Sequence, residues 1–171
     1  KKSDELRSAV SCAIKALKAS NFKSAKMTLE RKSHISALVE GVVLGGYEFN
    51  DYKSEVKPKQ MQEIFISYAD ENFESAQELF SQALIVANAT NFTRDIVNKT
   101  PQDINPQTLA MTAKKLADDN GLVCNILQED ALAQENMGAM LAVGRASVHG
   151  SALVHLSYKP ANPRKTVTLV G

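Results

Sequence analysis

The chain has 171 residues, 44% of them hydrophobic, and its 20 Lys and Arg nearly balance its 19 Asp and Glu for a net charge of +1. This composition supports a packed core in one domain or one and a half, while scattered basic residues at near-neutral charge do not make the basic face that duplex DNA demands. No apolar run reaches the roughly 20 residues that span a bilayer, no signal-peptide pattern opens the chain, and no internal repeat or low-complexity segment is evident.

The first residue is Lys rather than Met, so the natural N-terminus is expected to be missing or processed. Cys12 and Cys124 fall in apolar patterns in different halves. They read as buried free thiols in a reducing compartment rather than as a disulfide.

Leu6, Val10, Ala13, Ile14 and Leu17 recur at helical spacing and predict a helix over 3–19, ended near Asn21. Ser24 to Leu29 alternates and predicts a short strand. Ser33 is expected to cap the next helix, whose apolar face is Ile35, Leu38, Val39, Val42 and Val43, with Gly45-Gly46 loosening its end. Tyr47, Phe49 and Tyr52 lead into a charged loop, 53–60, broken by Pro58. Ile64, Phe65 and Ile66 mark a strand within 61–68.

The longest uninterrupted helical signal follows Asn72, its predicted N-cap, with Glu71, Glu74 and Glu78 suiting the positive end of the helix dipole. Ala76, Leu79, Phe80, Ala83, Ala87 and Thr90 form its small or apolar face, and no Gly or Pro intervenes before Pro101. Asn105 is placed to cap a further helix with Pro106 in its first turn; Leu109, Ala110, Ala113, Leu116 and Ala117 form its buried face and Asn120-Gly121 its left-handed end. A strand over 122–127, a short helix over 129–134, a small-residue helix or turn over 136–144, and strands over 153–158 and 166–170 complete the expected elements. The order of elements predicts an α/β fold in layers. The chain is expected to be cut at an active-site edge, since α/β folds gather their chemistry in loops beyond strand ends and the last predicted strand reaches Gly171.

Candidate chemistry is sparse. His34, His149 and His155 make no H-E-x-x-H pattern and no zinc-ligand spacing, so structural or surface roles are the reading. There is no G-x-S-x-G, G-x-G-x-x-G or P-loop, and Gly138 and Gly144 are read as close-packing positions. Asp118-Asp119 and Glu129-Asp130 fall at helix ends, where solvation and capping account for them. The N-x-[ST] sequons at Asn88, Asn91 and Asn98 share one helix and are read as chance. Arg94 near a helix end is read first as an ion pair or a donor to loop carbonyls, and second as a substrate contact.

Three segments in order carry more. Asn91-Phe-Thr-Arg94-Asp-Ile-Val-Asn98-Lys-Thr-Pro101-Gln-Asp-Ile-Asn-Pro106 resembles the segment that opens the catalytic domain of the cytosol (leucyl) aminopeptidase family. Asn136 to Ser147 resembles that family's next small-residue segment, and Leu153–Tyr158 with Thr166–Gly171 its two following strands. Asn105 stands where the family has Thr, and Asn caps equally well.

The resemblance implies a fold made of a partial N-terminal α/β domain (1–71), a linking helix (72–98) and the start of a mixed-sheet dimetal-peptidase catalytic domain (99–171). For an intact parent it implies a cytoplasmic homo-hexamer. Two zinc or manganese ions would polarise the scissile carbonyl, activate a water and hold the amino terminus of a peptide. The family's metal-binding Lys directly follows the Val-Gly pair that here is Val170-Gly171, and its other ligands lie downstream. No catalytic, cofactor-binding or metal-binding residue is therefore assigned in this chain. Alone it is expected to bind no metal pair, to cleave no peptide and to self-associate through open edges. The rival reading is a non-catalytic binding or assembly module on the same scaffold; neither nucleic acid nor membrane is an expected partner.

Overall fold

The computed structural model describes residues 2–56, 63–68 and 73–171. Pro58 with the end of the charged loop, the first two residues of the predicted second strand, and Glu71 with the Asn72 cap lie outside the described residues. The chain divides into two compact units, Lys1–Asn98 and Lys99–Gly171.

The first unit runs α1 (Lys2–Lys18), β1 (Ser24–Leu29), a 3-10 turn (Lys32–His34), α2 (Ile35–Gly45), β2 (Glu63–Tyr68) and α3 (Phe73–Asn98). β1 and β2 pair in parallel, from Ser24 opposite Glu63 to Leu29 opposite Tyr68. Parallel neighbours require a crossover, and α2 supplies it. Alternation sorts the two faces of this pair. Met27, Leu29, Ile64, Ile66 and Tyr68 pack on the core, while Thr28 and Ser67 share a hydrogen bond of 3.0 Å on the exposed side. Val10 and Ile14 from α1, Ile35, Leu38 and Val39 from α2, and Ala76 and Ala83 from α3 complete that core.

α1 and α2 meet almost backbone to backbone. A Cβ added to Gly41 would lie 2.8 Å from the Arg7 carbonyl oxygen, and one on Gly45 would lie 2.6 Å from the Cα of Ser11. The Ser11 hydroxyl donates to the Gly41 carbonyl at 3.0 Å. Ion pairs of Arg7 with Glu40 and of Lys18 with Glu48 flank the seam. The bonds to Glu40 and then Asp4 push the Arg7 guanidinium further above its ordinary range.

This geometry shifts several expected faces. The buried stripe of α1 turns toward Val10, Ile14 and the Ser11 side, which leaves Ala13 and Cys12 exposed. Ser33 sits inside the 3-10 turn, so His34 rather than Ser33 precedes α2, and no side chain caps it. Gly45 does not loosen the end of α2; it is buried where Ser11 approaches. On α3, Ala76, Ala83 and Ala87 are buried, whereas Phe80 is partly exposed and Thr90 turns outward to bond the Val86 carbonyl.

The second unit comprises α4 (Pro106–Asn120), β3 (Val123–Gln128), α5 (Glu129–Gln134), α6 (Gly138–Gly144) and β4 (Ala152–Ser157). The start of α4 follows the sequence closely. The Asn105 side chain accepts from the backbone N–H groups of Gln107 and Thr108, each at 3.1 Å, and the Thr108 hydroxyl accepts from the Asn105 N–H at 2.8 Å. Gly121, at φ 65°, ends the helix in the left-handed region. β3 and β4 pair antiparallel, Val123 opposite Ser157 through Gln128 opposite Ala152. Ala110, Ala117 and Leu132 are buried; Leu109, expected inside, is 42% exposed.

Gly144 is a close-packing position, since an added Cβ would fall 1.9 Å from the Ser151 hydroxyl, but Gly138 has nothing within 4 Å. The predicted strand over 166–170 does not form. Strand conformation is held by a ladder partner, none of the described segments pairs with it, and Val167, Leu169 and Val170 stay exposed.

The glycines give a test of sign. Ala for Gly inside a helix ordinarily stabilises by about 0.5–1 kcal/mol. Gly138→Ala is predicted to raise the unfolding midpoint of the second unit, whereas Gly41→Ala and Gly45→Ala are predicted to lower that of the first by about 1–3 kcal/mol through overpacking. Urea unfolding followed by circular dichroism reads all three.

Candidate functional site: the motif at the end of the long helix

The last carbonyls of any helix lack intrahelical donors. At the end of α2 the Gly46 N–H returns to the Val42 oxygen at 2.9 Å. The next two carbonyls are met from α3. The Asn91 side-chain amide donates to the Val43 oxygen at 3.3 Å, and Arg94 Nη1 donates to the Leu44 oxygen at 3.2 Å. Lys18 Nζ, reaching from α1, donates to the Gly46 oxygen at 2.8 Å. Two cations thus sit at the negative end of the α2 dipole.

The motif residues also hold one another. Arg94 Nη1 donates to Asn91 Oδ1 at 3.0 Å, which orients the amide toward Val43. The Arg94 guanidinium lies over the Tyr47 ring, 3.7 Å from its centroid. The Tyr47 hydroxyl donates to Asp95 Oδ1 at 2.8 Å and accepts from the Asn98 amide at 3.0 Å. Desolvation first, and the bond to Asp95 second, push the Tyr47 phenol above its ordinary range, so it remains a donor. Arg94 therefore performs the first role read from the sequence, a donor to carbonyls, but it does so for α2 rather than for a loop or its own helix. Tyr47, in sequence only one of three aromatic residues before a loop, is the member that sequence reasoning missed.

The remainder of the motif continues in the second unit. Thr100 Oγ1 donates to Asp103 Oδ2 at 2.8 Å, the N–H groups of Asp103 and Ile104 both reach the Thr100 carbonyl, and Asn105 caps α4. These bonds make a helix-to-helix turn, and each side chain in them has a structural partner.

The other candidates stay apart. His34 ends the 3-10 turn just before α2, His149 lies between α6 and β4, and His155 is an exposed β4 residue. Among the described residues no three His, Cys, Asp or Glu side chains gather in a way that could hold a metal ion. Asp118 pairs with Lys114 at 2.8 Å on α4, which raises the lysine further. Glu129 accepts from the Ser151 N–H at 3.2 Å, while Gln107 donates to the neighbouring Gly150 carbonyl at 2.6 Å, so α4 and α5 pin the start of β4. A cleft of about 540 Å³ in the first unit, walled by α2, β2 and α3, is lined mostly by apolar side chains, with Tyr68 and Gln77 as its polar members among the described residues. Among the described residues no helix is long and apolar enough to cross a membrane.

Comparison with known proteins adds what the geometry lacks. Residues 2–56 match the profile of the cytosol aminopeptidase family, N-terminal domain, and residues 91–171 that of the same family's catalytic domain. A protein of Campylobacter jejuni described as a probable cytosol aminopeptidase is 39% identical over 98% of this chain and 37% of its own length. One of Helicobacter hepaticus with the same description is 39% identical over 98% of this chain and 36% of its length. The chain thus spans little more than a third of these relatives. Among solved structures, a mutant of tomato leucine aminopeptidase superposes with a TM-score of 0.83 at 29% identity, covering 94% of this chain and 34% of its own. The bottromycin maturation enzyme BotP in complex with Mn shares the fold, with a TM-score of 0.77 at 23% identity, covering 94% and 34%.

If the motif is a clasp on α2, its side chains carry stability. A hydrogen bond involving a charged group contributes about 1.5–3 kcal/mol and a neutral one about 0.5–1.5. Arg94→Ala is predicted to cost about 2 kcal/mol and Tyr47→Phe, which keeps the ring under the guanidinium, about 1. Arg94→Lys is predicted to recover less than half of the Arg94→Ala loss, because an ammonium lacks the planar fork that bonds and stacks together. Equilibrium urea unfolding of the three variants checks the order.

Proposed function

The chain belongs to the cytosol aminopeptidase family, and on that premise we propose that it is a portion of a metal-dependent leucyl aminopeptidase that removes N-terminal residues from peptides. Residues 1–71 form the later part of the N-terminal domain, 72–98 the linking helix and 99–171 the opening of the catalytic domain. The observation that carries this reading is the pair of profiles met in order along one chain, supported by the 39% identity to relatives described as cytosol aminopeptidases.

Two divalent ions, zinc or manganese, belong to the proposed parent, and the manganese complex of BotP supports that class of ion. The residues described in this chain do not fit such a pair, since no metal-holding cluster forms among them. The chain's own contribution is scaffold: the clasp of α3 on α2, the turn from Thr100 to Asn105, and the small sheet of β3 and β4. The parent is proposed to be a cytoplasmic homo-hexamer acting on peptides.

Two preparations test this. The 171-residue chain, supplied with zinc or manganese, is predicted to leave leucyl-4-nitroanilide intact, and chelator-sensitive hydrolysis by it would contradict the assignment. The product of the complete reading frame is predicted to hydrolyse the same substrate and to lose activity with chelator. A frame that ends at the Gly171 codon, with an inert product, would favour a non-catalytic assembly module.

A further inference from the structure

Asn120-Gly121 is the one place in the chain where Asn precedes Gly. Every other asparagine is followed by a residue whose side chain crowds the intervening peptide nitrogen, or by Pro, which has no N–H to lose. Asn120 is the last residue of α4 and is exposed, and Gly121 follows it at φ 65° and ψ 32°. A Cβ added to Gly121 would meet nothing within 4 Å, so this peptide unit is open to solvent. Two bonds hold it closed. The Asn120 side-chain amide donates to the Leu116 carbonyl at 2.9 Å, and the Gly121 N–H donates to the Ala117 carbonyl.

We propose that Asn120 is a modification site, converted without an enzyme to aspartate and isoaspartate, and that fraying of the last turn of α4 gates the reaction. The Gly121 nitrogen gives up its proton and bonds to Cγ of Asn120; the Cγ–Nδ2 bond breaks, and Nδ2 leaves as ammonia with that proton. A five-membered imide remains, and water opens it. Breaking the bond from the Gly121 nitrogen to Cγ leaves aspartate. Breaking its bond to the Asn120 main-chain carbonyl carbon leaves isoaspartate, with the chain rerouted through Cβ and Cγ. In sum one water is consumed and one ammonia released, with no change of oxidation state. Both reacting groups are engaged in the closed helix end, so the nitrogen reaches Cγ only when the bonds to Leu116 and Ala117 open together. Helix ends open at far lower free energy than a core does. The products weaken the same end. A carboxylate cannot donate to the Leu116 carbonyl, and it adds negative charge beside Asp118 and Asp119 at the negative pole of the α4 dipole. Isoaspartate also lengthens the backbone between α4 and β3. The inference is independent of the peptidase reading and is tested on this chain directly.

Peptide mapping by mass spectrometry, on the 171-residue chain held at mildly alkaline pH, tests it. Isoaspartate is counted by methyl transfer from labelled S-adenosylmethionine with protein isoaspartate methyltransferase. Asn120, Asn125 and Asn136 all lie between Lys115 and Arg145, so one tryptic peptide carries the site and its internal controls. Asn120 is expected to exchange its amide for a carboxylate before either of the others. The chain unfolded in guanidinium chloride is expected to convert about tenfold faster than the folded chain, as a helix end open about one time in ten would give. Asn120→Gln is expected to abolish the isoaspartate signal, since its longer side chain cannot close the same ring. Asn120→Asp, which reproduces one product, is expected to lower the urea midpoint of the second unit, with circular dichroism showing that it has folded. Conversion of Asn125 or Asn136 first overturns the proposal, as does an Asn120 amide that survives in the folded chain while the unfolded chain converts. Equal rates in folded and unfolded chain overturn the gate, and an unchanged midpoint for Asn120→Asp overturns the weakening of α4.

Discussion

Backbone carbonyls at the end of a helix must find donors, and the first unit is arranged around that requirement at the end of α2. The crossover helix ends where the chain turns away at Gly46, and α3 lies alongside with Asn91 and Arg94 at the level of the open carbonyls of Val43 and Leu44. Lys18 completes the set from α1. Three helices are thereby fixed at one point by side chains that donate and by a dipole that favours cations. Tyr47, the second residue past α2, then locks the arrangement by supporting the Arg94 guanidinium on its ring and tying Asp95 and Asn98 through its hydroxyl.

That meeting point works because the helices approach closely. Gly41 and Gly45 let α1 touch the backbone of α2, and Ala76, Ala83 and Ala87 let α3 settle on its other side. Larger residues would move α3 outward, and the reach of Asn91 and Arg94 would fail first, since a hydrogen bond is lost over a displacement that dispersion contacts partly survive. Close helix packing and the polar clasp are thus one constraint expressed in small side chains and in long ones.

Much of this was legible in the amino-acid sequence, and the misses have physical causes. Strand β1, helices α4 and α5 and the Asn105 cap depend on local periodicity and capping chemistry, and they lie where those signals put them. The faces of α1 and α3 were less legible. Cβ-free positions on α2 decide which side of α1 approaches, and the carbonyls of α2 decide that Asn91 and Arg94, not Thr90, face inward. Gly41 and Gly45, four residues apart on one helix face, were an available signal of close approach. The predicted strand over 166–170 shows the limit of pattern alone: Val167 and Leu169 have the right side chains, but pairing requires a neighbour. The motif Asn91–Pro106 named the family, yet its side chains turn out to build the scaffold, which explains why physics applied to those residues named no reaction.

The central claim is that Arg94 acts as a clasp on α2 and not as a substrate contact. Native-state hydrogen exchange of Arg94→Ala tests it most directly. The account predicts that amides in the last turn of α2 and in the second half of α3 lose protection together, while those of α4, β3 and β4 keep theirs. Unchanged protection across α2 would contradict it, and would return Arg94 to the status of a side chain held ready for a ligand.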